Sequence, residues 1–258
     1  VNGMRFSFAI QNVFVLTKDG TLGLKLTKQL PADTAYCLKR LVQKGHFIAI
    51  ATGRAQYDAA HVAKAYGIHS FVADGGNSLT LDGKILKLEP LPLTAAKAVL
   101  REFEKQGIPW AAATENEPIM RSKYDSFDIS GYTHFEQHYG TDDTIDSIQA
   151  VYKIFFDCPA VMPNLHGLPV IPYLGNRLLI EPTHKEKGIF ELMKIMGESP
   201  ENVVVFGDGM NDISMFTKPF FCIAMGNAKK ELKARADYIT DRNDAGGIVK
   251  ACSKFGWI

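Results

Sequence analysis

The stretch Val13-Phe14-Val15-Leu16-Thr17-Lys18-Asp19-Gly20-Thr21 decides how the rest of the chain is read. Four apolar residues, two of them β-branched, form a buried-strand pattern that stops abruptly at a polar turn containing Asp-Gly. In open parallel sheets the ligand crevice lies beyond the carboxyl ends of the strands. Thr17, Asp19 and Thr21 are therefore placed where chemistry is expected, although a surface turn with one solvated aspartate would look the same in isolation.

Working outward, Ala32 to Gln43 carries a helical apolar period closed by Gly45, and Phe47 to Ala51 is a second buried run that ends in Thr52-Gly53-Arg54. A helix from about Gln56 to Tyr66 and a strand Phe71-Val72-Ala73 follow. Strand and helix in strict alternation predict right-handed parallel crossovers, an α/β, Rossmann-like parallel sheet. Beyond Asn77 the texture changes to a hairpin pattern around Asp82-Gly83, a helix from about Thr94 to Lys105, an irregular polar stretch through Tyr139, a strand Tyr152 to Phe156, and a segment broken by Pro159, Pro163, Pro169 and Pro172. The alternation returns with a helix from about Lys185 to Met196, then the strand Val203 to Phe206, ending at Gly207-Asp208-Gly209-Met210-Asn211-Asp212. The predicted organisation is a discontinuous core of residues 1–83 and 182–258, interrupted by an inserted α+β domain at 84–181.

The chain has 258 residues, and 29 Lys and Arg against 28 Asp and Glu leave a formal charge of +1. No global field draws it to nucleic acid or an anionic membrane, so neither is expected as a partner. The four cysteines, Cys37, Cys158, Cys222 and Cys252, form no C-x-x-C pair. With no secretory leader or spanning apolar run read in the sequence, a reduced, cytoplasmic setting is expected.

Three strands end in small polar or acidic residues: Thr17 with Asp19, Thr52, and Asp208 with Asn211 and Asp212. If those strands are parallel neighbours, the oxygens converge on one crevice, and hard oxygen donors of this kind suit Mg²⁺ with substrate phosphate. Thr52 could donate to a phosphate oxygen or cap the next helix. Lys185 and Lys187 both fall near a helix start, where a cation is unfavourable unless an anion is present, and the following Gly188 favours Lys187. Gly207-Asp208-Gly209 opens like a dinucleotide fingerprint, but Asp212 stands where the third glycine belongs, which argues against a nucleotide oxidoreductase.

In this order and spacing the motifs resemble the haloacid dehalogenase (HAD) superfamily of phosphohydrolases, and in particular its Cof-type branch, which carries a large α/β cap. The resemblance rests on Asp19-Gly20-Thr21, Thr52-Gly53-Arg54, Lys187-Gly188, Gly207 to Asp212 and Ala236 to Thr240. It implies a Mg²⁺-dependent phosphatase acting on small phosphorylated metabolites such as sugar phosphates. On that resemblance Asp19 is the general acid/base, Asp19, Asp208 and Asp212 serve the metal, and Thr52, Gly53, Lys187 and Asn211 hold the phosphate. One position departs from the pattern: Thr17 stands where the family has its nucleophilic aspartate. A threonine hydroxyl is uncharged at neutral pH and needs a base before it can attack, so the alternative to the phosphatase is a catalytically silent protein that binds a phosphorylated ligand or a protein partner.

Overall fold

The computed structural model describes residues 11–18, 20–23, 30–124 and 145–258, together with the backbone of 136–139. In chain order the elements are β1 (Val13–Leu16), α1 (Ala32–Gln43), β2 (Phe47–Ala51), α2 (Gln56–Ala65), β3 (Phe71–Ala73), β4 (Ser78–Leu81) and β5 (Lys84–Leu88). The inserted part follows as α3 (Leu93–Gln106), β6 (Trp110–Ala113), β7 (Ile119–Ser122), β8 (Glu136–Tyr139), β9 (Lys153–Asp157), β10 (Val170–Pro172) and β11 (Arg177–Ile180). The chain then returns through α4 (Lys185–Met196), β12 (Val203–Gly207), β13 (Phe221–Ala224), α5 (Lys230–Lys233), β14 (Tyr238–Ile239) and α6 (Gly247–Lys254).

The first and last parts share one sheet in the order β14-β13-β12-β1-β2-β3-β4-β5. From β14 to β3 every pairing is parallel, while the β3–β4 and β4–β5 pairings are antiparallel. The all-apolar sequence of β1 follows from this place, because a central parallel strand is covered on both faces by helices. Val13, Phe14, Val15 and Leu16 are all fully buried. Helices α1 and α4 present their apolar stripes to the sheet through Cys37, Leu38 and Leu41, and through Ile189, Leu192 and Met193.

A second sheet, β10-β11-β9-β6-β7-β8, belongs to the insertion and has its own core, in which Phe103 of α3 stacks on Phe156 of β9 with ring centroids 4.5 Å apart. Strand β5, expected to open the inserted domain, instead extends the core sheet by pairing with β4. The Asp82-Gly83 hairpin holds Lys84 to Leu88 on the edge of that sheet, so the crossing between the two sheets lies after Leu88. Strand β7 falls in a stretch read as irregular, and α6 had no counterpart in the sequence reading.

Candidate active site

Register brings the three strand ends together. Leu16 of β1 is level with Phe206 of β12 on one side and Ile50 of β2 on the other. Thr17, Thr52 and Asp208 therefore leave the same edge of the sheet, with neighbouring strands roughly 5 Å apart. The backbone continues the alignment for one more step, since Thr17 N–H donates to the Phe206 carbonyl at 3.2 Å.

The turn after β1 folds back tightly. Leu22 N–H donates to the Thr17 carbonyl at 3.1 Å, and Gly23 N–H to the Lys18 carbonyl at 2.7 Å. Gly20 sits at φ +83°, and a Cβ there would lie 2.1 Å from Asp208 Oδ2. Glycine is needed twice over, for the left-handed backbone and for the approach of the carboxylate. Two asparagines fasten the turn: Asn227 Nδ2 donates to the Gly20 carbonyl at 2.7 Å, and Asn243 Nδ2 to the Gly23 carbonyl at 3.1 Å. Asp19 lies outside the described residues.

Thr17 is buried, with 4% exposure. Its hydroxyl has two acceptors within reach, Thr21 Oγ1 at 2.9 Å and Asp212 Oδ2 at 3.3 Å, while Thr21 in turn donates to Asp208 Oδ1 at 3.1 Å. Asp212 is heavily used. Its Oδ2 accepts the backbone N–H groups of Asp208 and Gly209 at 3.0 and 3.1 Å, and its Oδ1 accepts Lys185 Nζ at 2.7 Å. The sequence places Asp212 three residues into a tight turn behind β12, where its carboxylate caps the orphan N–H groups of the turn's start.

The lysine in this cluster is Lys185, a correction to the expected Lys187. Lys185 is buried and paired with Asp212, whereas Lys187 is exposed. Helical geometry gives the reason: residues three and four apart share a face, and Lys185 heads the buried stripe Lys185, Gly188, Ile189, Leu192. Gly188 is a packing glycine on that stripe, where a Cβ would lie 2.4 Å from Val72 Cγ1 of β3. Its proximity in sequence to Lys187 was a misleading cue, because adjacent helical residues point about 100° apart.

Thr52 is buried, and its Oγ1 accepts the Arg54 N–H at 3.1 Å, which leaves its own proton to donate. Gly53 lies against Glu181, whose Oε1 would be 2.6 Å from a Cβ at that position. Asn211 is exposed on the turn that carries Asp212. Lys185 stood beside Lys187 as a candidate and Thr21 was placed at the strand end without a partner; both asparagines were missed. Asn227 and Asn243 had one usable signal, their place just beyond the β13 and β14 strand ends at the same edge.

A resident Mg²⁺ can be tested against this donor set. Mg²⁺ takes one or two carboxylates and completes its shell with waters and substrate oxygens. Asp208, beside Gly20 and Thr21, suits that requirement. Asp212, with one oxygen on Lys185 and the other on two backbone N–H groups, fits a role in orienting the turn better than direct ligation. Among the described residues no group of three or more His, Cys, Asp or Glu is placed to hold a metal, and of the expected metal residues that are described, Asp208 fits best.

Comparison with known proteins agrees with this geometry. The family model of haloacid dehalogenase-like hydrolases matches residues 14–161 and 177–252. The chain is 40% identical over 242 residues to the 5-amino-6-(5-phospho-D-ribitylamino)uracil phosphatase YcsE of Bacillus subtilis, covering 93% of each chain. Among solved structures, a protein from Geobacillus kaustophilus superposes with a TM-score of 0.84 at 29% identity, over 96% of this chain and all of the other. The HAD subclass IIB sugar phosphatase BT4131 superposes with a TM-score of 0.78 at 25% identity, again over 96% of this chain and all of the other. The doubly flanked sheet, the inserted domain and the residues gathered at the ends of β1, β2 and β12 thus have one common explanation: the chain belongs to the haloacid dehalogenase-like hydrolase family.

Proposed function

We propose that the crevice at the ends of β1, β2 and β12 binds the phosphate of a small phosphorylated metabolite together with Mg²⁺, and that phosphomonoester hydrolysis there is restricted by Thr17. The observation that supports this reading is the buried ion pair of Lys185 with Asp212, set directly beside Thr17. Burying such a pair is expensive and seldom improves stability over an apolar pair, so its place at the strand ends is better explained by an anionic ligand.

In this reading the Lys185 ammonium and the Thr52 hydroxyl face the phosphate oxygens, and Gly53 lets the backbone come close. Asp208 would hold the metal, whose contribution when bound is neutralisation of phosphate charge. Asp19, two residues beyond Thr17, is the candidate to protonate the leaving oxygen. Thr17 is poorly equipped to attack. Neither acceptor of its hydroxyl is a ready base, because Thr21 is a neutral hydroxyl and both Asp212 oxygens are committed to N–H donors. The same observation favours the second reading, a protein that binds a phosphorylated ligand without turning it over.

The site reading is tested by calorimetric titration of Mg²⁺ in the presence of inorganic phosphate. We expect binding to the natural protein and at least tenfold weaker binding to Asp208→Ala. Equal affinity in the two proteins would remove Asp208 from the metal site.

A further inference from the structure

Thr52 sits on a loop that Lys153 of the inserted domain contacts. Lys153, the first residue of β9, is fully buried, and its ammonium donates to the Gly53 carbonyl and to Glu181 Oε2. Gly53 immediately follows Thr52. Glu181 begins the segment that returns from the insertion to α4, so Lys153 touches the Thr52 loop and the strand of chain that delivers Lys185 at the same time.

The turn Asp74-Gly75-Gly76 holds the other side of this junction. Asp74 N–H donates to the Arg54 carbonyl at 2.8 Å and Gly75 N–H to the Thr52 carbonyl at 3.3 Å. Both crossings between the sheets rest on the same turn. On the way out, Glu89 N–H donates to the Asn77 carbonyl at 2.9 Å; on the way back, His184 N–H donates to the Gly75 carbonyl at 2.9 Å. Pro182 and His184 carbonyls lie where Cβ atoms on Gly75 and Gly76 would be, at 1.7 and 2.2 Å.

A buried ammonium is a costly brace, and apolar packing usually does that work as well or better. What an apolar side chain cannot do is fix a backbone carbonyl and a carboxylate in one geometry. We propose that Lys153 is a positioning residue, an ammonium carried by the inserted domain that sets the Thr52 loop and the Lys185 linker in register when that domain is seated on the core. The proposal rests on the reading of Thr52 and Lys185 as phosphate-binding groups. It assigns the insertion a part in assembling the phosphate site as well as covering it.

Lys153→Met alone would strand the Glu181 carboxylate, so the informative variant is Lys153→Met with Glu181→Gln, which removes both charges together. Three quantities are measured: the thermal midpoint, amide hydrogen exchange at residues 53–54 and 74–75, and affinity for inorganic phosphate with Mg²⁺. We expect a midpoint within a few degrees of the natural protein, but at least tenfold faster exchange at those amides and at least tenfold weaker phosphate binding. Natural exchange in the folded double variant would overturn the proposal and leave Lys153 a structural ion pair. A measurement on the unaltered protein covers the case in which the double variant does not fold. Coupling is reciprocal, so phosphate should slow exchange at Lys153 and Ile154 together with Gly53 and Arg54; slowing confined to the core would contradict the proposal. Should the natural protein bind no phosphate at all, the site reading fails by itself, and the exchange rates of the double variant still decide the role of Lys153.

Discussion

Lys185 and Lys187 are two residues apart and have different fates, which makes them a direct test at the residue scale. Lys185→Met leaves Asp212 buried with two N–H donors but no countercharge, and breaking a buried pair in this way costs roughly 3–5 kcal/mol. Lys187→Met is exposed and should stay within about 0.5 kcal/mol of the natural protein. Urea unfolding of both variants reads the difference, and equal stabilities would contradict the placement of Lys185. Asp74 supplies a second test. Its Oδ2 accepts the Gln56 N–H at 3.0 Å, and Oδ1 meets no partner among the described residues. Burial raises its carboxyl from 3.8 to about 7, against the opposing pull of Lys153 and the Gln56 N–H and with a further push from Glu181. The folded state therefore holds this proton longer than the unfolded chain. Below about pH 4 both states are protonated and the group costs nothing. From about pH 4 to about 7 stability falls, by a total on the order of 4 kcal/mol, and above that the loss is constant. Asp74→Asn keeps the acceptor for Gln56 and tolerates the positive φ of 47°. Its unfolding free energy should fall less than that of the natural protein between pH 5 and pH 8, and parallel profiles would contradict the assignment.

At the scale of elements, the parts of the fold visible in the sequence were those whose period is set by burial. Strands β1, β2 and β12 read as continuous apolar runs because both faces are covered, and α1 and α4 read as helices because one face is. The edges were harder. Lys84 to Leu88 looks like the start of a new unit because its side chains are largely exposed, yet its backbone completes the core sheet. Hydrogen bonding to β4 leaves no mark on composition. The site divided in the same way. Strand-end residues Thr17, Thr52 and Asp208 could be located by counting, whereas Lys185, Asn227 and Asn243 depend on which helix face or loop tip turns inward. The turn after β1 carries its own prediction. Gly20→Ala would place a methyl group on the Asp208 carboxylate in a left-handed backbone, and should cost at least about 1–2 kcal/mol in stability while weakening Mg²⁺ binding. Unchanged stability and affinity would mean that Gly20 does not lie against Asp208.

For the whole molecule, the two sheets and their separate cores give a sheet domain that carries the proposed site and an inserted domain whose Lys153 contacts it. Among the described residues no helix is long and apolar enough to cross a membrane. Fold and family follow from the entire chain, while the proposed restriction on turnover rests on one hydroxyl, that of Thr17. Supplying the missing carboxylate should therefore be sufficient to release the reaction. The direct measurement is hydrolysis of a small phosphate ester with Mg²⁺ by the natural protein and by Thr17→Asp, with acid quenching to trap any phosphoenzyme. The substitution should raise the rate at least on the order of a hundredfold and yield a trapped aspartyl phosphate. Equal, robust rates in both proteins would contradict the claim that Thr17 restricts turnover, and no phosphoenzyme or activity in either would contradict the placement of the active site around Thr17.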